Sequence, residues 1–356
     1  MWNELEMQPR VLAIRKDDIA GWLAKLLAKG EVIAPTAGPC GEVTFSVIHS
    51  REEVLWAFGN SLSPPKEFVL PQTEPIVQIR RNGQRTEVAP VYDDTPRILL
   101  NIRPCDAKGI AFLTKMHEME PADASYLRRA ANLTVISLAC NVPCESGFCI
   151  CSDSGPFPTA GHDIQLTDLG EKYLAEIDSE KGTAAISDAE NLFLPATEDD
   201  VARRNDLERE AKRCFGEETC HFASAMRRIS TRRVDDALWD QMSDWCLECG
   251  GCNFICPTCY CFSVSDRGGD GTWTRCRMWD SCQYAAFTLE ASGHNPRERH
   301  GDRVKRRFFH KVSAQYYLRD GMTGCVGCGR CIKVCLGATD MPAVVAAIRD
   351  RAWHER

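Results

Sequence analysis

Cys246-Leu-Glu-Cys249-Gly-Gly-Cys252-Asn-Phe-Ile-Cys256-Pro257 is followed, after the 68 residues from 257 to 324, by Cys325-Val-Gly-Cys328-Gly-Arg-Cys331-Ile-Lys-Val-Cys335. Each run places cysteines at i, i+3, i+6 and i+10. The chain holds 20 cysteines in 356 residues. Twelve fall between Cys246 and Cys335, and four more are Cys140, Cys144, Cys149 and Cys151; the rest are Cys40, Cys105, Cys214 and Cys220. Hydrophobic residues make up 44% and charged residues 26%, an ordinary globular balance. This length admits two or three domains. A formal net charge of −7 argues against wholesale nucleic-acid binding. There is no apolar run of about 18 residues, so no membrane span is expected. Met1 to Met7 lack a basic segment followed by an apolar one, so we expect no secretory signal and a cytoplasmic, reducing location. In that setting closely spaced cysteines point to metal, not to disulfides.

The spacing is that of bacterial ferredoxins. Three thiolates three residues apart wrap three corners of a cuboidal cluster, and the fourth reaches a second cluster. We therefore assign one 4Fe-4S cluster to Cys246, Cys249, Cys252 and Cys335, and another to Cys325, Cys328, Cys331 and Cys256. Gly250, Gly251, Gly327 and Gly329 would let the backbone approach the sulfides. Zinc ribbons use two CxxC pairs, so a pair of zinc sites is the weaker reading. Leu336 stands where proline usually follows the last cysteine. The intervening 68 residues are too many for a compact β-type ferredoxin, and 281–292 reads as helical. A helix at 234–245 leads into the first run, and a last helix opens at Thr339 or Asp340 with Pro342 in its first turn. These features predict a mainly helical dicluster ferredoxin-like domain over 234–356.

Residues 1–233 alternate strand and helix signals. RVLAIRK at 10–16 reads as a strand. Ile19, Trp22, Leu23, Leu26 and Leu27 form a helical stripe between Asp17 and Gly30. The Pro-rich stretch 63–75 reads as a loop, 163–178 as a hairpin and 198–215 as a charged helix. A buried strand at 98–103, a helix at 107–118 and a strand at 133–139 make a βαβ unit. The predicted fold class is thus α+β, an N-terminal α/β domain preceding the helical one. Cys105 follows one strand of that unit and Cys140 ends the other, so both thiols would emerge at one carboxyl edge, where α/β sheets place ligands. Cys149 and Cys151 follow in a loop able to fold back, giving a third cluster on Cys105, Cys140, Cys149 and Cys151. Cys144 competes for the fourth position. A helix dipole at Cys105 would favour its thiolate. The plainer alternative is two buried cysteines and a loop zinc. Cys259, Cys261 and Cys282 could form a further metal site, with a histidine such as His294, or could be inert packed thiols, the reading we favour. Cys40, Cys214, Cys220 and Cys276 lack partners at ligand spacing and read as free thiols.

These residues carry a resemblance. Cys256-Pro-Thr-Cys-Tyr-Cys-Phe262, Arg277-Met-Trp-Asp-Ser-Cys-Gln283, Gly293-His-Asn295, Arg307-Phe-Phe-His-Lys311 and Cys325-Val-Gly-Cys-Gly-Arg-Cys331 resemble the iron–sulfur β-subunits of cytoplasmic sulfhydrogenases and the A subunit of anaerobic sulfite reductase. Arg103-Pro-Cys-Asp106, Cys149-Ile-Cys151 and Gly161-His-Asp-Ile-Gln-Leu-Thr-Asp168 extend the resemblance over nearly the whole chain. It implies an electron-transfer subunit of a hetero-oligomer. Its partners would be an FAD- and NAD(P)H-binding reductase subunit and a catalytic NiFe hydrogenase, sulfite reductase or heterodisulfide-reductase-type subunit. It also strengthens the third cluster on Cys105, Cys140, Cys149 and Cys151, and makes pure packing of Cys259, Cys261 and Cys282 less secure. No GxGxxG follows a strand and there is no P-loop, so no flavin or NAD site is evident in this chain. Two other classes compete: a reductase whose extra thiols build its own catalytic centre, and a structural zinc protein. The basic stretch 295–311 holds Arg297, Arg299, Arg303, Lys305, Arg306, Arg307 and Lys311 against Glu298 and Asp302. It is either a solvated face or, as an Arg306 substitution would test, a set of cations offsetting the negative clusters.

Overall fold

The computed structural model describes residues 10–216 and 221–353. Its fold is mixed α/β with two sheets. The strands are β1 (Arg10–Arg15), β2 (Glu31–Ala37), β3 (Val43–Val47), β4 (Thr73–Asn82), β5 (Arg85–Pro90), β6 (Arg97–Ile102), β7 (Leu133–Leu138), β8 (Ile164–Asp168), β9 (Lys172–Ile177), β10 (Phe193–Pro195), β11 (Phe262–Gly269) and β12 (Thr272–Trp279). The larger sheet runs β10-β1-β9-β8-β7-β6-β2-β3, and the smaller β11-β12-β4-β5. Strands β2, β6, β7 and β8 are mutually parallel neighbours, and the remaining pairs of the large sheet are antiparallel.

The βαβ unit forms as expected. β6 is mostly apolar because both its faces are covered, and its one buried polar side chain, Asn101, donates to Leu55 O at 2.8 Å. Ile98 and Leu100 join a core with Trp22, Leu23 and Leu26 of the helix Ile19–Lys29. Leu99 and Ile102 join the opposite core with Phe112 and Leu113 of the helix Pro104–His117. That helix starts directly after β6 with Pro104 in its first turn, where a missing N–H costs nothing. Cys105 is thereby fixed at the carboxyl edge of the sheet.

The C-terminal core is helical. Leu238, Trp239 and Met242 of the helix Asp236–Asp244 meet Val304, Phe308 and Val312 of His300–Val312, and Val344, Val345 and Ile348 of Met341–Asp350. Phe222 and Ile229 of the helix Phe222–Ser230 pack there too, as does Phe148 from the loop after β7. Asp340 caps the last helix, its carboxylate accepting from the Ala343 N–H at 3.0 Å.

One expectation changes. The segment after the first cysteine run is a β-hairpin, β11–β12, and the helical reading of 281–292 reduces to a single 3-10 turn at Ala285–Thr288. The hairpin turns at Asp270-Gly271, both at positive φ (52° and 86°), the geometry that two-residue hairpin loops demand. β12 then pairs with β4, crossing into the N-terminal half of the chain. A buried ion pair from Arg277 Nε to Glu74 Oε1 at 2.8 Å holds that junction.

Candidate metal centres

Cys256, Cys325, Cys328 and Cys331, the four expected ligands of one cluster, line a single cavity of about 360 Å³ together with Cys252, Arg307 and Lys311. The ligand-bearing turns are short. Gly329 caps the five-residue helix Arg330–Val334 at φ 73°. Gly327 (φ 60°), whose N–H donates to Cys325 Sγ at 3.5 Å, and Gly329 also meet a second element. A Cβ on Gly329 would lie 2.0 Å from the Ser146 carbonyl oxygen, and one on Gly327 2.6 Å from Phe148. These glycines admit the loop after β7, whose Phe148 N–H donates to Gly327 O at 2.8 Å.

A second cavity, of about 350 Å³, is lined by Cys105, Cys140, Cys144 and Cys149, with Arg103 and Cys328. Topology assembles it. Adjacent parallel β6 and β7 deliver Cys105 and Cys140 to one edge, and the loop from Cys140 to the 3-10 turn Cys149–Ser152 folds back over it. Cys140 N–H donates to Pro156 O at 3.1 Å, and Gly147 N–H to Cys144 O at 2.9 Å, pinning that loop. Cys151 is not among the residues lining this cavity; it packs against the C-terminal helical core. Cys144, the alternative for the fourth position, lines the cavity.

The remaining expected set, Cys246, Cys249, Cys252 and Cys335, lies toward the surface, and Cys249 is exposed. Cys335 Sγ accepts from Thr339 N–H at 3.2 Å. Asn253 Nδ2 donates to Cys282 Sγ at 3.1 Å, and Cys282 shares a hydrogen bond with Cys261 at the base of the β11–β12 hairpin. Cys259 is buried beside Cys256. Among the described residues no three His, Cys, Asp or Glu side chains converge as for a single metal ion. His294 is exposed. Cys40 and Cys214 are exposed and Cys276 is buried in β12. Cys220 lies outside the described residues.

Electrostatics decide what the cavities suit. Burial pushes most of these thiols up: Cys140 and Cys252 to about 11, Cys331 to about 12, and Cys105, Cys149 and Cys325 in the same direction. The helix dipole expected to favour the Cys105 thiolate is outweighed by burial and by Asp106. Such thiols ionise when a metal takes their protons. Buried cations face them. Lys66 is 2% exposed and Lys311 4%. Lys66 Nζ donates to Cys259 O at 2.9 Å and lies 4.1 Å from the Trp279 ring centroid. Lys311 Nζ donates to Thr258 Oγ1 at 2.7 Å, which sits 3.2 Å from Cys256 Sγ. Buried Arg307 has an unpartnered Nε. Among the described residues no ion pair joins Lys66, Lys311 or Arg307 to a carboxylate; the anionic groups acting on them are cysteines. An uncompensated buried charge costs several kcal/mol. Four thiolates around an iron–sulfur core carry net negative charge, so the donor set and its cations fit such a cluster.

Arg330 differs. It is 1% exposed, but Asp106 pairs with it through both oxygens, at 2.6 and 2.8 Å, and Ser61 accepts two more bonds. Arg306, singled out from the basic stretch, is only half-buried and lies over the Tyr316 ring. Arg303, Arg307 and Lys311, four residues apart, form the buried face of that helix. Sequence reasoning missed Lys66 and the Asp106–Arg330 pair. The four-residue spacing could have separated Arg307 from Arg306; nothing local marks Lys66.

Residues 245–339 match the 4Fe-4S dicluster domain family. Sulfhydrogenase 2 subunit beta of Pyrococcus furiosus is 30% identical over 313 residues, which span 86% of this chain and 89% of that relative. No helix among the described residues is long and apolar enough to cross a membrane. The chain therefore belongs to the sulfhydrogenase β-subunit family and carries a C-terminal 4Fe-4S dicluster domain.

Proposed function

We propose that this chain is the iron–sulfur relay subunit of a cytoplasmic hydrogenase-type complex. It would pass electrons between an FAD- and NAD(P)H-binding reductase subunit and a catalytic NiFe hydrogenase, sulfite reductase or heterodisulfide-reductase-type subunit. The observation that carries the reading is an unbroken file of cysteine sets. Cys252 belongs to the first set and lines the cavity of the second; Cys328 belongs to the second and lines the cavity of the third. Clusters bound there would exchange single electrons. The chain's own residues ligate them, keep water away and set the local charge.

The first set is Cys246, Cys249, Cys252 and Cys335, and the second Cys325, Cys328, Cys331 and Cys256. For the third we take Cys105, Cys140 and Cys149 with Cys144 in place of Cys151, because Cys144 lines the cavity. The α/β domain, 1–233, would hold the third cluster and the dicluster domain, 234–356, the other two. The chain would use no flavin or nicotinamide of its own. The test is anaerobic isolation of the complex with its subunits identified. NAD(P)H should bleach the chain's iron–sulfur absorbance only when the flavin subunit is present. Bleaching of the isolated chain, or zinc in place of iron, would overturn the reading.

The hydrogen-bonded Cys261–Cys282 pair favours a second reading, a thiol-based catalytic centre. Cys282 is held below the ordinary thiol range, chiefly by the hydrogen bond from Cys261, with Asn253 and Gln283 adding to it. Cys282→Ala would then abolish substrate turnover while leaving the iron content and cluster reduction intact.

A further inference from the structure

The three cysteine sets share a ligand type but not a charge environment. The cavity of Cys256, Cys325, Cys328 and Cys331 is lined by Arg307 and Lys311. Lys66 approaches the same corner from the N-terminal half, in the turn Pro65–Phe68. Among the described residues neither lysine meets a carboxylate, and Thr258 links Lys311 to the Cys256 sulfur. The cavity of Cys105, Cys140, Cys144 and Cys149 faces a single cation without an ion pair among the described residues, the buried Arg103 that acts on Cys140, while the nearby Arg330 is neutralised by Asp106. The set of Cys246, Cys249, Cys252 and Cys335 shares Arg307, which acts on Cys246 and Cys252, but opens toward solvent at Cys249, where water screens charge.

Reduction adds one negative charge to a cluster. Nearby cations stabilise the reduced form more than the oxidised one, and most strongly where burial lowers the effective dielectric. We propose that Lys66 and Lys311 clamp the Cys256 corner and make the middle cluster the most easily reduced of the three. An electron entering from either side then comes to rest in the middle of the file, and onward transfer in either direction is the uphill step. Lys66 and Lys311 act as positioning residues, through the Cys259 carbonyl and Thr258, and not as ligands. Lys66 also makes the potential of a dicluster-domain cluster depend on a residue of the N-terminal domain.

The proposal rests on the relay reading above, and its test separates the two. Iron is counted first on the anaerobically purified full-length chain; a chain without iron sinks the relay reading itself. On iron-loaded protein, each cluster is then titrated potentiometrically and followed by electron paramagnetic resonance, and the signal altered in Cys256→Ser identifies the middle cluster. Lys66→Met and Lys311→Met should each lower the midpoint of that cluster by at least about 59 mV, tenfold in its one-electron reduction equilibrium. The other clusters should move less, and Lys66→Arg should retain most of the wild-type value. Equal shifts in all clusters, no shift in the middle one, or a Lys66→Arg shift as large as that of Lys66→Met would overturn the clamp. Should a methionine variant lose iron, the Lys66→Gln and Lys311→Gln variants are judged by the same criteria.

Discussion

The two cysteine-lined cavities each present five cysteines, four of one set and a fifth from the neighbouring set, Cys252 in the one and Cys328 in the other. They are built in opposite ways. One draws its ligands from two short runs, three of them within seven residues. The other collects Cys105, Cys140, Cys144 and Cys149 from two strand ends and a returning loop. Their charge differs as well. The first faces Lys66, Lys311 and Arg307, none of them in an ion pair among the described residues. The second faces one such cation, Arg103, which acts on Cys140, and borders an Arg330 already paired with Asp106.

The Asp106–Arg330 pair is where the comparison breaks most readily, since it seats the second run on the first turn of Pro104–His117. Asp106→Asn leaves an uncompensated buried guanidinium and should destabilise the protein by about 3–5 kcal/mol. Denaturant unfolding of the iron-free chain measures this. A loss below about 1 kcal/mol would mean that the pair is not holding the two halves together.

A smaller effect concerns pH. The buried thiols have folded values above their unfolded ones, so the folded form prefers them protonated. Their contribution is fully present below the ordinary thiol range, near 9, and is lost as pH rises toward 11 and 12 for Cys140 and Cys331. Each tenfold change in one thiol's ionisation equilibrium corresponds to about 1.4 kcal/mol. The iron-free chain should therefore lose stability over that window, while the iron-loaded chain, whose thiolates are already ionised, should not. Parallel melting curves for the two forms would refute the assignment.

The smallest effect sharpens the contrast with the solvent-facing set. Thr339→Val removes the hydroxyl near Cys335 Sγ, at 3.4 Å, and leaves the backbone N–H bond. A single hydrogen bond is worth about 1 kcal/mol, so the midpoint of that cluster should fall by less than about 59 mV. A larger drop would place more of the local field in this threonine than a screened site allows.

Much of this was legible in the sequence, for identifiable reasons. The dicluster domain could be read from the two runs because their spacing is local. β6 could be read as buried because Ile98, Leu99, Leu100 and Ile102 place apolar side chains on both of its faces. The hairpin β11–β12 carried its Asp270-Gly271 turn signal, yet the helical expectation for the insertion obscured it. Cys144 and Cys151 flank Cys149 at unequal distances, and only the path of the loop decides which one turns toward Cys105. Lys66 sits between prolines and a glutamate with no pattern around it; its importance comes wholly from the fold that carries it to Cys259. Cys105 shows the limit of a local rule, because the helix dipole is real but burial outweighs it.

The central claim is a file of three clusters with Cys144 in the third. It is tested most directly by iron and sulfide analysis of the anaerobically purified chain beside its Cys144→Ala and Cys151→Ala variants. We predict about 12 irons per chain for the wild type and for Cys151→Ala, and about 8 for Cys144→Ala, from four irons in each 4Fe-4S cluster. About 8 irons in all three proteins, or a loss confined to Cys151→Ala, would contradict it.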